Sequence, residues 1–181
     1  MEPLASYKNL VLIGFRGTGK TTISTALAAT LGRPRFSTDD MASERCGTSI
    51  RDFVEQHGWE EFRRIERECV GEVSQSRGAV IDCGGGVVEN PENMRHLAKN
   101  GVVVWIHADL NDVLKRLAAE PLDAQRPLLT HGSSTSDDVR QNYTRRLPLY
   151  EGFAAFMVNT SVSAPEECCR MIADFFSVIS T

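Results

Sequence analysis

Short apolar runs alternate with longer stretches of helical periodicity along most of this chain. The runs near residues 9–13, 35–38, 79–83, 102–107 and 154–158 are bounded by turn-forming residues and predict strands. Between them apolar positions recur at helical spacing, as in Ile23, Ala26, Leu27, Ala28 and Leu31, and predict helices. Strand and helix in alternation build right-handed βαβ units, so the pattern predicts an α/β fold with a five-stranded parallel sheet covered on both faces. Val102, Val103, Val104, Trp105 and Ile106 read as a strand buried on both sides. Residues 49–75 are helical in pattern with a break at Gly58-Trp59, and a helical lobe at about 39–76 is expected to stand off the sheet. Residues 121–138 hold Pro, Gly, Ser, Thr and Asp with little periodicity. Arg126-Pro127-Leu128-Leu129 inside that stretch mixes a charge with apolar residues, which suits a mobile lid better than a linker.

A length of 181 residues fits one domain, 1–181, with a full hydrophobic core. The formal net charge of -4 argues against a nucleic-acid surface, which clustered Lys and Arg would build. Cys46, Cys69, Cys83, Cys168 and Cys169 are odd in number and carry no C-x-x-C spacing, which points to reduced thiols and no metal cluster. The adjacent Cys168-Cys169 reads as ordinary helix packing or as a redox pair. Residues 1–7 show no basic region followed by an apolar stretch, and no segment approaches about 20 apolar residues. The expectation is a cytoplasmic, soluble monomer with no membrane partner.

Gly14-Phe15-Arg16-Gly17-Thr18-Gly19-Lys20-Thr21 fits the phosphate-binding pattern G-x-x-x-x-G-K-[ST] between the first strand and the first helix. Glycines let backbone N–H groups wrap a phosphate, Lys20 can reach the β- and γ-phosphates, and the Thr21 hydroxyl can ligate Mg²⁺. The helix dipole adds to the attraction. Four further clusters supply an acceptor. Ser37-Thr38-Asp39-Asp40 ends the second strand, where Asp39 either faces the ligand crevice as a base for a hydroxyl or caps the next helix. Arg63 and Glu66 share a helix face and can pair, either as a solvated salt bridge or to steady the guanidinium for a ligand. Gly84-Gly85-Gly86 follows the third strand and admits a close approach to the backbone. Arg126, Arg145 and Arg146 supply the positive charge that phosphoryl transfer needs, Arg126 only once a lid has closed.

In order and spacing, GFRGTGKTT, STD, FRRIE, GGG, RPLL and RRLPLY resemble the shikimate kinases over nearly the whole chain. The resemblance implies a three-layer P-loop kinase fold. It also implies ATP-dependent phosphorylation of the 3-hydroxyl of shikimate, in the pathway to aromatic amino acids, with ATP and Mg²⁺ as cofactors. By the same resemblance Gly17, Thr18, Gly19, Lys20, Thr21 and Thr22 hold the nucleotide. Asp39 binds the acceptor hydroxyls, Arg63 and Arg146 grip its carboxylate, and Glu66 orients Arg63. Gly84, Gly85 and Gly86 line the acceptor pocket, Arg126 is the lid arginine near the transferring phosphate, and Arg116 stacks on adenine.

One departure stands out, because the family has Asp-x-Asp where this chain has Ser37-Thr38-Asp39. Serine is a poorer magnesium partner than a carboxylate. Asp82, two residues before the glycine triplet, either supplies the missing charge to the metal or caps the glycine turn. Ser37 also leaves open a non-catalytic sensor of shikimate, and the architecture leaves open a related small-molecule kinase such as a gluconate kinase.

Overall fold

Five parallel strands lie in the order β2–β3–β1–β4–β5. They are β1 (Asn9–Ile13), β2 (Arg35–Ser37), β3 (Val80–Asp82), β4 (Gly101–His107) and β5 (Phe156–Asn159). The computed structural model describes residues 8–119 and 135–179. Helices α1 (Lys20–Leu31), α2 (Thr38–Cys46), α3 (Ile50–Val73), α4 (Pro91–Lys99), α5 (Leu110–Ala118), α6 (Thr135–Phe153) and α7 (Pro165–Val178) fill the connections. Each strand falls on one of the apolar runs. β2 stops at Ser37 because the Ser37 hydroxyl accepts the Asp40 N–H at 3.1 Å and Thr38 already begins α2.

β1 occupies the middle of the sheet, and Leu10, Val11, Leu12 and Ile13 are at most 1% exposed. Alternate side chains of a strand face opposite layers. Val11 and Ile13 pack with Ile81, Val103, Val70, Met94 and Tyr150 under α3, α4 and α6. Leu10 and Leu12 pack with Val80, Val104, Ile23, Leu27 and Ile172 against α1 and α7. The helix after β1 therefore lies on one face and the helix after β3 on the other, although the two strands are neighbours. Connections that leave adjacent strands toward opposite faces open a crevice at their carboxyl ends. The phosphate-loop motif and the glycine triplet are the two segments that border it.

α3 breaks at Gly58, whose φ of 82° and ψ of 166° lie outside the helical range and suit a residue with no Cβ. α2 and α3 share a small separate core of Ala42, Phe53, Val54, Phe62, Ile65 and Cys69. The end of α3, expected to stand off the sheet, does not do so, since Val70 and Val73 belong to the main core. At the other boundary, residues 135–138 form the first turn of α6 and Asp138 is 1% exposed, so helix replaces the end of the expected lid. Arg126 and the rest of 120–134 lie outside the described residues. Among those described, no helix is long and apolar enough to cross a membrane.

α6 carries Tyr150, whose ring is stacked on Trp105 of β4 at 6.0 Å and whose hydroxyl donates to the Gly85 carbonyl at 2.6 Å. Burial pushes the phenol pKa up, so the donor proton stays on. Tyr150→Phe should lower the unfolding free energy by about 1–3 kcal/mol, the cost of leaving a buried acceptor unpaired. Urea titration reads this as a lower midpoint at unchanged slope.

Candidate active site

A cleft of about 980 Å³ opens at the carboxyl ends of the strands, with Lys20, Thr21, Asp39, Asp82, Gly85 and Arg116 among the residues lining it. Gly17, Gly19 and Thr22 line it as well. Gly19 is the N-cap of α1, so the loop delivers its backbone to the amino end of that helix. Thr18 is buried instead of lining the cleft, and its hydroxyl donates to the Phe15 carbonyl at 2.8 Å. Lys20 Nζ donates to the same carbonyl at 2.9 Å. A lysine and a threonine tied to one oxygen hold the loop in its curved form. Arg116 reaches the loop from α5, donating to the Gly17 carbonyl at 3.1 Å and to Thr160 at 3.0 Å and 2.8 Å. Its guanidinium therefore joins the phosphate loop to the segment after β5.

The acceptor candidates gather on the three glycines that follow β3. A Cβ on Gly84 would overlap the Asp39 carboxylate, and one on Gly86 would overlap the Arg63 guanidinium. One on Gly85 would stand 3.4 Å from Arg16 N, 3.5 Å from the Gly14 carbonyl and 3.8 Å from Arg146 Nη1. The triplet thus brings the phosphate loop, Asp39, Arg63 and Arg146 to successive residues of one strand end. Its backbone is fixed from two sides, by Tyr150 on the Gly85 carbonyl and by Thr38, whose hydroxyl oxygen accepts the Gly84 N–H at 2.8 Å. Cys83, next to the triplet, is fully sequestered and burial raises its thiol pKa, so it stays protonated.

Arg63 and Glu66 pair as their spacing predicts, at 2.6 Å, with Glu66 buried. The Arg63 guanidinium carbon also lies over the Trp59 ring, 5.2 Å from its centroid, a cation–π contact that adds to the Glu66 pairing in holding the charged head. Arg146 is buried near the Phe15 ring, 5.6 Å from guanidinium carbon to centroid. Pro148 follows it within α6, a residue with no N–H for the Thr144 carbonyl.

Asp82 sits beside Ser37 in the β2–β3 register. Its Oδ2 accepts from Arg35 Nη2 at 2.8 Å and from Ser24 at 3.2 Å. Arg35 and Ser24 are tied to each other at 2.8 Å. Sequence reasoning did not identify Arg35 as a site residue, nor Thr160, Arg16 or Glu89. Arg16 pairs with the buried Asp138 at 3.9 Å. Glu89 lies among Arg63, Arg145 and Arg146. Burial works against the Glu89 carboxylate, but attraction from Arg146 and then from Arg63 and Arg145 outweighs it and holds the pKa below its ordinary value.

A family model for shikimate kinase matches residues 16–177. A shikimate kinase of Caldicellulosiruptor bescii is 39% identical over 165 residues, 91% of this chain and 93% of its own length. Another, from Dehalococcoides mccartyi, is 35% identical over 166 residues, 92% of each chain. Among solved structures, shikimate kinase from Acinetobacter baumannii in complex with shikimate superposes with a TM-score of 0.87 at 27% identity, covering 97% of this chain and 96% of that one.

Gly86→Ala tests whether the missing Cβ matters for the site more than for the fold. The atoms it would meet are the far end of a flexible side chain, so the melting temperature should fall by only a few degrees, an effect of about 1 kcal/mol or less. Affinity for the acceptor should fall by roughly tenfold because the Arg63 guanidinium must move. Thermal melts and acceptor KM measured on the same preparation check both halves.

Proposed function

Because this chain belongs to the shikimate kinase family and so uses ATP to phosphorylate shikimate, we propose that the crevice between β1 and β3 performs the transfer, with the nucleotide on the β1–α1 loop and the acid on Arg63 and Arg146. The observation that carries this reading is Gly85, where a side chain would meet the phosphate loop and Arg146 Nη1 together. A phosphoryl donor and a carboxylate-bearing acceptor held by those two elements would meet over the glycine triplet.

Lys20 neutralises charge on the β- and γ-phosphates, and Arg126, outside the described residues, is assigned the same duty from the RPLL motif. Arg63 and Arg146 bind the shikimate carboxylate, Glu66 steadies Arg63, and Asp39 orients the 3-hydroxyl. The hydroxyl oxygen attacks the γ-phosphorus in line as the bond from that phosphorus to the β–γ bridging oxygen breaks, and the proton passes to Asp39 or to solvent. The products are shikimate 3-phosphate and ADP. Arg116 anchors the adenine end by holding Gly17 and Thr160. Five free thiols suit a reducing compartment such as the cytosol.

Thr21 and Asp82 fit Mg²⁺, since both are oxygen donors on the cleft that Lys20 lines. Asp82 already accepts from Arg35 and Ser24, but a carboxylate offers about four acceptor positions, so it can also hold a metal-bound water. Magnesium supplies charge neutralisation on the phosphates. Ser37, which caps α2 beside Asp82, is left to a structural duty.

The assignment is tested by ADP release across a panel of hydroxy acids, where shikimate should be turned over and gluconate should not. Lys20→Ala should lower kcat by ~10² or more while shikimate binding survives. Arg63→Ala should instead weaken shikimate binding by about 1.5–3 kcal/mol, and near-normal affinity would show the pocket to be wrongly assigned. Asp82→Asn should raise the Mg²⁺ concentration needed for half-maximal rate severalfold; an unchanged Mg²⁺ profile excludes a metal duty for Asp82.

A further inference from the structure

Glu89 ends the 3₁₀ turn Val87–Glu89 directly after the glycine triplet, and the transfer described above makes no use of it. Its carboxylate accepts from Arg146 Nε at 3.1 Å, Arg146 Nη2 at 3.3 Å and Arg63 Nη2 at 3.4 Å, and it also pairs with Arg145. The Arg146 side chain is only 6% exposed, and a guanidinium buried that far is costly without a carboxylate beside it. Glu89 meets this need through the Nε/Nη2 edge. The remaining nitrogen, Nη1, is the one that faces Gly85. Arg63 is shared in the same manner, with Nη1 on Glu66 at 2.6 Å and Nη2 on Glu89. Among these groups the arginines 63, 145 and 146 exceed the glutamates 66 and 89 by one positive charge, which is the charge of a single carboxylate to be bound.

We propose that Glu89 is a positioning residue that sets the acceptor's selectivity. It bridges Arg63 to Arg146, and together with Glu66 it leaves arginines 63, 145 and 146 with one unit of positive charge for one carboxylate. The proposal rests on the reading that Arg63 and Arg146 hold the shikimate carboxylate. The lowered pKa keeps Glu89 ionised at neutral pH, as a bridge between cations requires. The contrasting arrangement is one in which Glu89 fills the seat of the substrate carboxylate and must leave before shikimate can enter.

Glu89→Gln, Glu89→Asp, Arg63→Ala and Arg146→Ala in the full chain separate these cases. Steady-state kinetics give kcat and both KM values, calorimetry gives the Kd of shikimate and of its methyl ester, and circular dichroism verifies folding. Glu89→Gln should raise the shikimate KM and Kd by roughly tenfold, the effect of misplacing one charge-assisted contact. ATP KM, kcat and ester affinity should stay within about twofold, because none of them draws on the arginine pair. Glu89→Asp keeps the charge with a shorter reach and should fall between wild type and Glu89→Gln; it carries the test if the amide variant does not fold. Unchanged shikimate affinity in a folded variant overturns the proposal, and so does tighter binding, which would mean that Glu89 competes for the substrate's seat. If Arg63→Ala and Arg146→Ala also leave shikimate affinity unchanged, the failure lies with the acceptor site and not with Glu89.

Discussion

The close approach of side chains to the backbone at Gly84, Gly85 and Gly86 is the constraint on which the site depends. Three successive residues without a Cβ let an aspartate, an arginine and the phosphate loop each touch the same short segment. No single element could bring them together, because Asp39 lies in the first turn of α2, Arg63 sits in α3 and Arg146 in α6. The triplet in turn needs a fixed backbone, and Thr38 of α2 and Tyr150 of α6 supply it. A fully buried, stacked tyrosine far along the chain is thereby part of the same construction as the motif it supports.

Charge is distributed by the same logic. The cations near the cleft are shared with carboxylates or carbonyls: Arg63 with Glu66 and Glu89, Arg146 with Glu89, Arg35 with Asp82, Lys20 with the Phe15 carbonyl. Such sharing limits the desolvation cost of burying positive groups and fixes their direction before a ligand arrives. A site organised in this way has little reorganisation left for the moment of transfer, when charge on the phosphoryl group peaks. The opposite departures of the chain from β1 and β3 provide the crevice in which this happens.

Much of this was legible in the sequence where the signal is local. The five apolar runs marked the five strands, the Gly58 break in α3 followed from a glycine inside a helical pattern, and the three-residue spacing of Arg63 and Glu66 foretold their contact. Features that arise from lateral register were hidden. Arg35, not singled out in the sequence, reaches Asp82 only because β2 and β3 pair. Glu89 showed no motif of its own, because its partners Arg63 and Arg146 come from two other helices. The resemblance placed Arg116 at the adenine, but its bonds to Gly17 and Thr160 were hidden, since both lie far from it in the chain. The boundary of α6 was set too late because Ser, Thr and Asp suit both a loop and the first turn of a helix.

The most direct measurement is a crystal structure of the chain with shikimate and ADP bound. The account predicts the shikimate carboxylate within hydrogen-bonding distance of both Arg63 and Arg146, with its 3-hydroxyl against Asp39 and directed toward the nucleotide on the β1–α1 loop. A ring seated with its carboxylate away from those two guanidinium groups, or with Asp39 turned from the hydroxyl, would contradict it.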